Sequence, residues 1–257
     1  MSVNSKVIWS EGMFLQPQHF QQQDRYVEHL INSRCLGLQP YDWGFYNLKL
    51  DLDLLKIGKL ALTECRGIFP DGTPFNLPAN HDLPLPLDIP EDIHNEIVFL
   101  ALPVRRPESA ETDSDLKPDN LARFRLGERE VRDNNGGAEG TAPVQVGQLK
   151  TRLLRQRDER SGYTCLGVAR IIEARADKNL IIDDQFIAAN LNCAAVPVLS
   201  GFVRELHGLL NTRGEALAAR VATAGHGGVA EIADFLLLQL VNRFQPLFEH
   251  LSHVSGL

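Results

Sequence analysis

Residues 197–250 read PVLSGFVRELHGLLNTRGEALAARVATAGHGGVAEIADFLLLQLVNRFQPLFEH. Leu199, Val203, Leu206, Leu210, Arg213, Leu217 and Arg220 recur at alternating four- and three-residue steps, a heptad-like seam that stays apolar except for its two Arg members. Phe202, Leu209 and Ala216 widen it. Gly225-His226-Gly227-Gly228 breaks this first helix, and a second runs from about residue 229 to 250. Ile232, Phe235, Leu236, Leu240, Phe244 and Leu247 fall on one broad face of the second helix, and Pro246 is expected to kink it. Leu237, Leu238 and Val241 add apolar surface on its other sides. Two helices of about 35 Å cannot hide this surface between themselves. At roughly 1.5–3 kcal/mol per buried large aliphatic side chain, half a dozen left in water is a heavy cost. The pattern therefore demands more helices, from further sequence or from other copies, and a self-associating bundle is the simplest answer. The residues expected to pack it are Leu199, Val203, Leu206, Leu210, Leu217, Ile232, Phe235, Leu236, Leu240 and Phe244.

Upstream the period changes from helical to alternating. In residues 45–52, Tyr46, Leu48, Leu50 and Leu52 alternate with Asn47, Lys49 and Asp51, as in a half-buried strand. Residues 60–69 form a second expected strand, closed by the turn Pro70-Asp71-Gly72-Thr73. Residues 97–102 are apolar throughout, as in a strand covered on both faces. Residues 123–132, 144–154 and 163–173 complete the set, and the polar segment 155–162 reads as a solvated hairpin tip. Many short strands with turns between them imply a β-sandwich or barrel. Residues 103–120 and 133–143 have too little apolar content to fold alone and are expected to be long disordered loops. The expected class is mainly β plus α: an N-terminal β-sandwich over residues 1–190, then a long helical hairpin over 191–257.

The first residues form an arm with two apolar clusters, Val7-Ile8-Trp9 and Met13-Phe14-Leu15. An arm this short has no core of its own. From Pro17 a helix is expected, with Pro in the first turn, Phe20, Val27, Leu30 and Ile31 on one face, and Gly37 as the stop. Gln16, Gln18, Gln21, Gln22 and Gln23 surround Phe20. Apolar anchors rimmed by uncharged donors and acceptors suit a protein–protein contact, so Trp9, Met13, Phe14, Leu15 and Phe20 are the candidate interface residues. Packing within the chain is the competing reading for the same cluster.

The 257 residues carry 26 Lys and Arg against 33 Asp and Glu, a net charge of −7, and no basic run interleaved with aromatics. Nucleic acid is a poor partner for such a surface. Met1-Ser2-Val3-Asn4-Ser5-Lys6 is polar, so no signal peptide is expected, and no run approaches the ~20 apolar residues of a spanning helix. Cys35, Cys65, Cys165 and Cys193 are scattered and lack a CxxC pair, which fits buried free thiols in a reducing compartment, the cytoplasm. Nucleotide-binding loops, the hydrolase elbow and the paired-His zinc motif are all missing. His250 and His253 stand at i, i+3 without an evident third ligand. Asp183-Asp184 closes an apolar strand, where turn or cap carboxylates are commoner than an acid–base pair. His19, His29, His81, His94 and His207 have no partners that would poise them for chemistry. Neither an enzyme nor a cofactor or metal site is expected.

Residues 7–26, Val7-Ile8-Trp9-Ser10-Glu11-Gly12-Met13-Phe14-Leu15-Gln16-Pro17-Gln18-His19-Phe20-Gln21-Gln22-Gln23-Asp24-Arg25-Tyr26, closely resemble the opening signature of the TssK family of type VI secretion baseplate subunits. Phe69-Pro70-Asp71-Gly72-Thr73-Pro74-Phe75 is similar to a second landmark of that family, and Ile182-Asp183-Asp184-Gln185-Phe186-Ile187 to a third. The chain departs from it at Ala188-Ala189, where prolines are expected. The resemblance implies a β-sandwich shoulder like that of phage receptor-binding proteins, a helical neck and a C-terminal head. It also implies a homotrimer whose shoulder engages the wedge subunits TssF and TssG. The head would reach the TssJ–TssL–TssM membrane complex, so the protein would sit in the cytoplasm, docked at the inner membrane. Family members continue well past residue 257, so the neck is expected to be incomplete and the head absent. The leading expectation is a structural adaptor. A carbohydrate- or ligand-binding sandwich of a phage-tail-like protein is the alternative, and it requires an aromatic-lined pocket.

Overall fold

The computed structural model describes residues 4–38, 40–106, 109–113, 121–134, 140–223 and 229–253. In chain order the principal elements are α1 (Pro17–Cys35), β1 (Gly44–Leu50), α2 (Leu52–Leu55), β2 (Lys59–Leu60), β3 (Leu62–Ile68), β4 (Pro74–Leu77) and β5 (Leu87–Asp88). They continue with β6 (His94–Pro103), β7 (Thr112–Asp113), β8 (Phe124–Arg132), β9 (Thr141–Leu149), β10 (Arg152–Arg155), β11 (Tyr163–Ala174) and β12 (Leu180–Ile182). A short 3-10 turn (Cys193–Ala195) leads into α3 (Pro197–Thr223), and α4 (Val229–His253) closes the described chain.

Two sheets share one core. A three-stranded sheet in the order β1-β3-β4 contributes Phe45, Cys65, Phe75 and Leu77. A four-stranded sheet in the order β10-β6-β11-β12 contributes Val98, Leu100, Leu102, Leu153, Leu166, Val168 and Ile171. All of these are buried, the arrangement of a β-sandwich whose inner faces interdigitate. Phe75 fills the centre, edge-on to Phe45 at 5.9 Å and tilted against Phe69 at 4.6 Å. The segment after β12 returns to this core. The Phe45 N–H donates to the Ala189 carbonyl at 2.9 Å, and the Leu191 N–H donates to the Phe45 carbonyl at 2.9 Å. A Cβ on Gly44 would stand 2.8 Å from the Ala189 carbonyl, so this close approach needs glycine, and Gly44 adopts φ +136°. Ala188-Ala189 thus occupies an ordered, partly buried position beside β1.

Several expected boundaries are corrected. The strand read over 144–154 is two strands: β9 pairs with β8, and β10 pairs with β6 in another sheet. The chain crosses between them at Lys150, whose N–H donates to the Arg123 carbonyl at 2.9 Å. The strand read over 60–69 divides at Ala61, whose carbonyl accepts the Asp51 N–H at 3.0 Å. The strand read to residue 52 stops at Leu50, because the Asp51 carboxylate accepts from the Asp53 and Leu54 N–H groups and caps α2. α1 ends at Cys35 with Leu36 right-handed, so Gly37 is not the stop. The loop expected over 103–120 includes the end of β6 and β7, whose Thr112–Asp113 pairs in parallel with the start of β8. Within 133–143, residues 141–143 belong to β9. Residues 107–108, 114–120 and 135–139 of those two loops, and the Gly225–Gly228 break, lie outside the described residues.

The hairpin of α3 and α4 is rooted in the sandwich. Ala195 and Val196 are buried in the shared core, with Val198 and Leu199 packed against it. Farther out α3 and α4 pack on each other: Leu217 and Val241 are both buried, and Arg220 pairs with Asp234 at 2.8 Å. α4 runs through Pro246 as one helix.

Candidate protein–protein interfaces

The N-terminal arm lies against the start of α1. The Trp9 ring lies tilted against both His19 and Phe20, with centroids 6.4 Å away, and Gln22 Nε2 donates to the Ser5 carbonyl at 2.6 Å. Pro17 opens α1, where a missing N–H costs nothing. His19 closes this first turn onto Gln16: the Gln16 N–H donates to His19 Nδ1 at 3.1 Å, and the His19 N–H donates to the Gln16 carbonyl at 3.0 Å. The structure thus brings Trp9 and Phe20 together while leaving both exposed. Leu15 is exposed as well, Met13 is half-buried, and Phe14 is 84% exposed. No residue of α1 is buried.

The second apolar surface is the outer face of the hairpin. Ile232, Phe235, Leu236, Leu240, Phe244 and Leu247 are all exposed, Phe235 by 55% and Leu240 by 50%. Phe202 and Leu209 are exposed on α3, seven residues apart. Val203, Leu206 and Leu210 are half-buried, and Leu217 is fully buried. Leu199 packs on the sandwich core. The α3 seam read from sequence is therefore largely covered within the chain, and the positions flanking it face out. Covering the exposed half of each α4 side chain is worth on the order of 1 kcal/mol apiece.

The remaining landmarks are structural. Asp71 holds the turn after β3: its carboxylate accepts the Thr73 N–H at 3.1 Å and the Arg123 guanidinium at 2.7 Å. Arg123 is only 2% exposed, and it also donates to the Pro103 carbonyl at 2.6 Å and to the Thr73 hydroxyl. Nothing in the sequence marks Arg123 out, since an Arg at a strand start reads as a solvated residue. Asp183 accepts the Gln185 N–H at 2.9 Å and pairs with Arg170 at 3.3 Å, while Arg170 covers the Phe186 ring at 5.5 Å. That geometry makes Asp183 a turn carboxylate, and its neighbour Asp184 is exposed. The His253 ring hydrogen-bonds the Glu249 carbonyl at 2.7 Å. A cleft lined by residues 57–58, 88–91, 174 and 178 has no aromatic side chain. Among the described residues, no group of three His, Cys, Asp or Glu is placed to hold a metal ion. Among them, too, no helix is long and apolar enough to cross a membrane.

A family model described as "Bacterial Type VI secretion, VC_A0110, EvfL, ImpJ, VasE" matches residues 19–257. The chain belongs to this family. Its 257 residues align at 50% identity with the type VI secretion system baseplate component TssK1 of Pseudomonas aeruginosa, of which they cover 58%. A crystal structure of TssK superposes with a TM-score of 0.92 at 40% identity, covering 99% of this chain and 57% of that one. A TssK solved by cryo-electron microscopy in a TssK–TssF–TssG baseplate subcomplex gives a TM-score of 0.85 at 25% identity, over 98% of this chain and 81% of that one. These type VI secretion relatives are structural baseplate components, and the sandwich-plus-hairpin fold is theirs. The chain spans little more than half the length of the curated relative.

Proposed function

We propose that this chain is the shoulder and the first part of the neck of a baseplate adaptor. Residues 1–190 form the shoulder and 191–257 the neck. The exposed arm and α1, with Trp9, Met13, Phe14, Leu15 and Phe20 as anchors, engage the wedge subunits TssF and TssG. The outer face of the hairpin, built on Ile232, Phe235, Leu236, Leu240 and Phe244, packs against the same face of other copies in a homotrimer. Sequence beyond residue 257 would carry the contact to the TssJ–TssL–TssM membrane complex, on the cytoplasmic side of the inner membrane. The role is mechanical linkage and needs no reacting group.

The observation that carries this reading is the pair of unpartnered apolar surfaces at opposite ends of the chain, on a fold that a relative adopts in a TssK–TssF–TssG subcomplex. The test is co-purification with TssF and TssG. The wild-type protein is expected to retain both. Phe14→Ala and Phe20→Asp are expected to lose them while keeping the wild-type circular dichroism and melting temperature, because both side chains are exposed. Full retention by folded variants would remove the arm from the interface.

A further inference from the structure

α1 runs for 19 residues and buries none of them. Among the described residues, polar ties join it to the sandwich at Glu28 and at Asn32. The Arg105 guanidinium donates to the Glu28 carboxylate, and Asn32 Nδ2 donates to the Asp71 carbonyl at 3.0 Å. Glu28 and Asn32 are four residues apart and share a face of the helix. Phe20, Val27 and Ile31 line a different face, about 100° round the axis, with Leu30 beside them, and all four are exposed. The two ties therefore fix the rotation of α1 as well as its place.

The sandwich end of each tie is itself braced. Asp71 is held by buried Arg123, and Arg105 also lies 3.9 Å from Glu111. Gly72, at φ +82°, lies so close under Asn32 that a Cβ there would collide with the Asn32 amide. The hydrophobic effect acts against this arrangement, because a helix free to roll would press its apolar stripe onto the body and out of water.

We propose that Glu28–Arg105 and Asn32–Asp71 are a latch that keeps the apolar stripe of α1 turned outward for the wedge. This rests on the arm and α1 being the wedge surface. The four are positioning residues; the stripe makes the contact. A latch of exposed groups (Arg105 and Glu28 are both in reach of water) can be released without disturbing the core.

Charge reversal in the full-length protein tests it. Glu28→Arg and Arg105→Glu are made singly and together. For each, the affinity for purified TssF–TssG, hydrogen exchange over residues 17–35 and the melting temperature are measured. Each single variant is expected to bind roughly tenfold more weakly and to exchange faster in α1, at an unchanged melting temperature. The double variant is expected to restore both binding and protection. Single variants that bind like wild type, or a double variant that stays impaired, would overturn the latch. If the wild-type protein itself does not bind TssF–TssG, the wedge reading falls. Exchange over α1 then decides the latch alone: faster in the singles and restored in the double supports it, and no change overturns it.

Discussion

Replacing Arg123 by Met keeps the linear stem of the side chain and removes every donor. Three acceptors then lose a donor: the Asp71 carboxylate (which keeps the Thr73 N–H), the Thr73 hydroxyl and the Pro103 carbonyl. Breaking a buried charge pair from one side costs about 3–5 kcal/mol. The Asp71 side chain is 29% exposed, so water can partly resolvate it, and the lower end, about 3 kcal/mol, applies. At roughly 2–4 °C per kcal/mol for a unit of this size, the melting temperature should fall by about 6–12 °C. Equilibrium urea denaturation of wild type and variant measures the difference directly. The midpoint should drop at unchanged slope, because the surface exposed on unfolding is the same. Arg123→Lys, which keeps a charge but loses the fork, should fall between the two. A loss below about 1 kcal/mol for Arg123→Met would refute the reasoning, since that is the cost expected of an exposed ion pair.

Two further outcomes follow from the sandwich. Burial pushes the Cys65 thiol up to about 12 from its ordinary 9.0, so folded protein keeps it neutral after the unfolded chain has ionised. That contribution to stability is complete below pH 9 and is lost as pH rises through 12. At pH 8, thiol titration should therefore find exposed Cys35 reactive and Cys65 inert until denaturant is added; equal labelling rates would contradict the burial. In Gly67→Ala the new methyl would strike the Gly44 carbonyl and stand 2.8 Å from the Phe75 ring. Because β1 and β3 pair at Phe45 and Gly67, the variant should fail to accumulate as soluble protein, and a normal yield and melting curve would be the contrary result.

The parts legible in the sequence were those governed by local chemistry. Alternation located the start of β1, the apolar run located β6, and Pro17 marked the start of α1. The break between β9 and β10 was not legible, because Lys150-Thr151 has neither Gly nor Pro and the change of sheet depends on a distant carbonyl at Arg123. The Asp51 cap carried a readable signal, an acid two residues before a second acid, but the alternation of 45–52 outweighed it. The arm was read from Trp9, Phe14 and Phe20, and the structure leaves all three in water. The ties that hold α1 were beyond reach: Glu28 meets Arg105 across 77 residues, and no local pattern encodes such a pairing. On the hairpin, a heptad count places residues on stripes but does not say which stripe meets the partner within the chain. Gly214, whose missing side chain lets Val241 approach, helps decide that.

The apolar outer face of α3 and α4 is the feature on which the scaffold account rests. Sedimentation equilibrium of the full-length protein, wild type beside Phe235→Asp/Leu240→Asp, tests it most directly. Three times the monomer mass for wild type and the monomer mass for the variant is the predicted result. A wild type that stays monomeric at every concentration, or a variant that keeps the threefold mass, would contradict it.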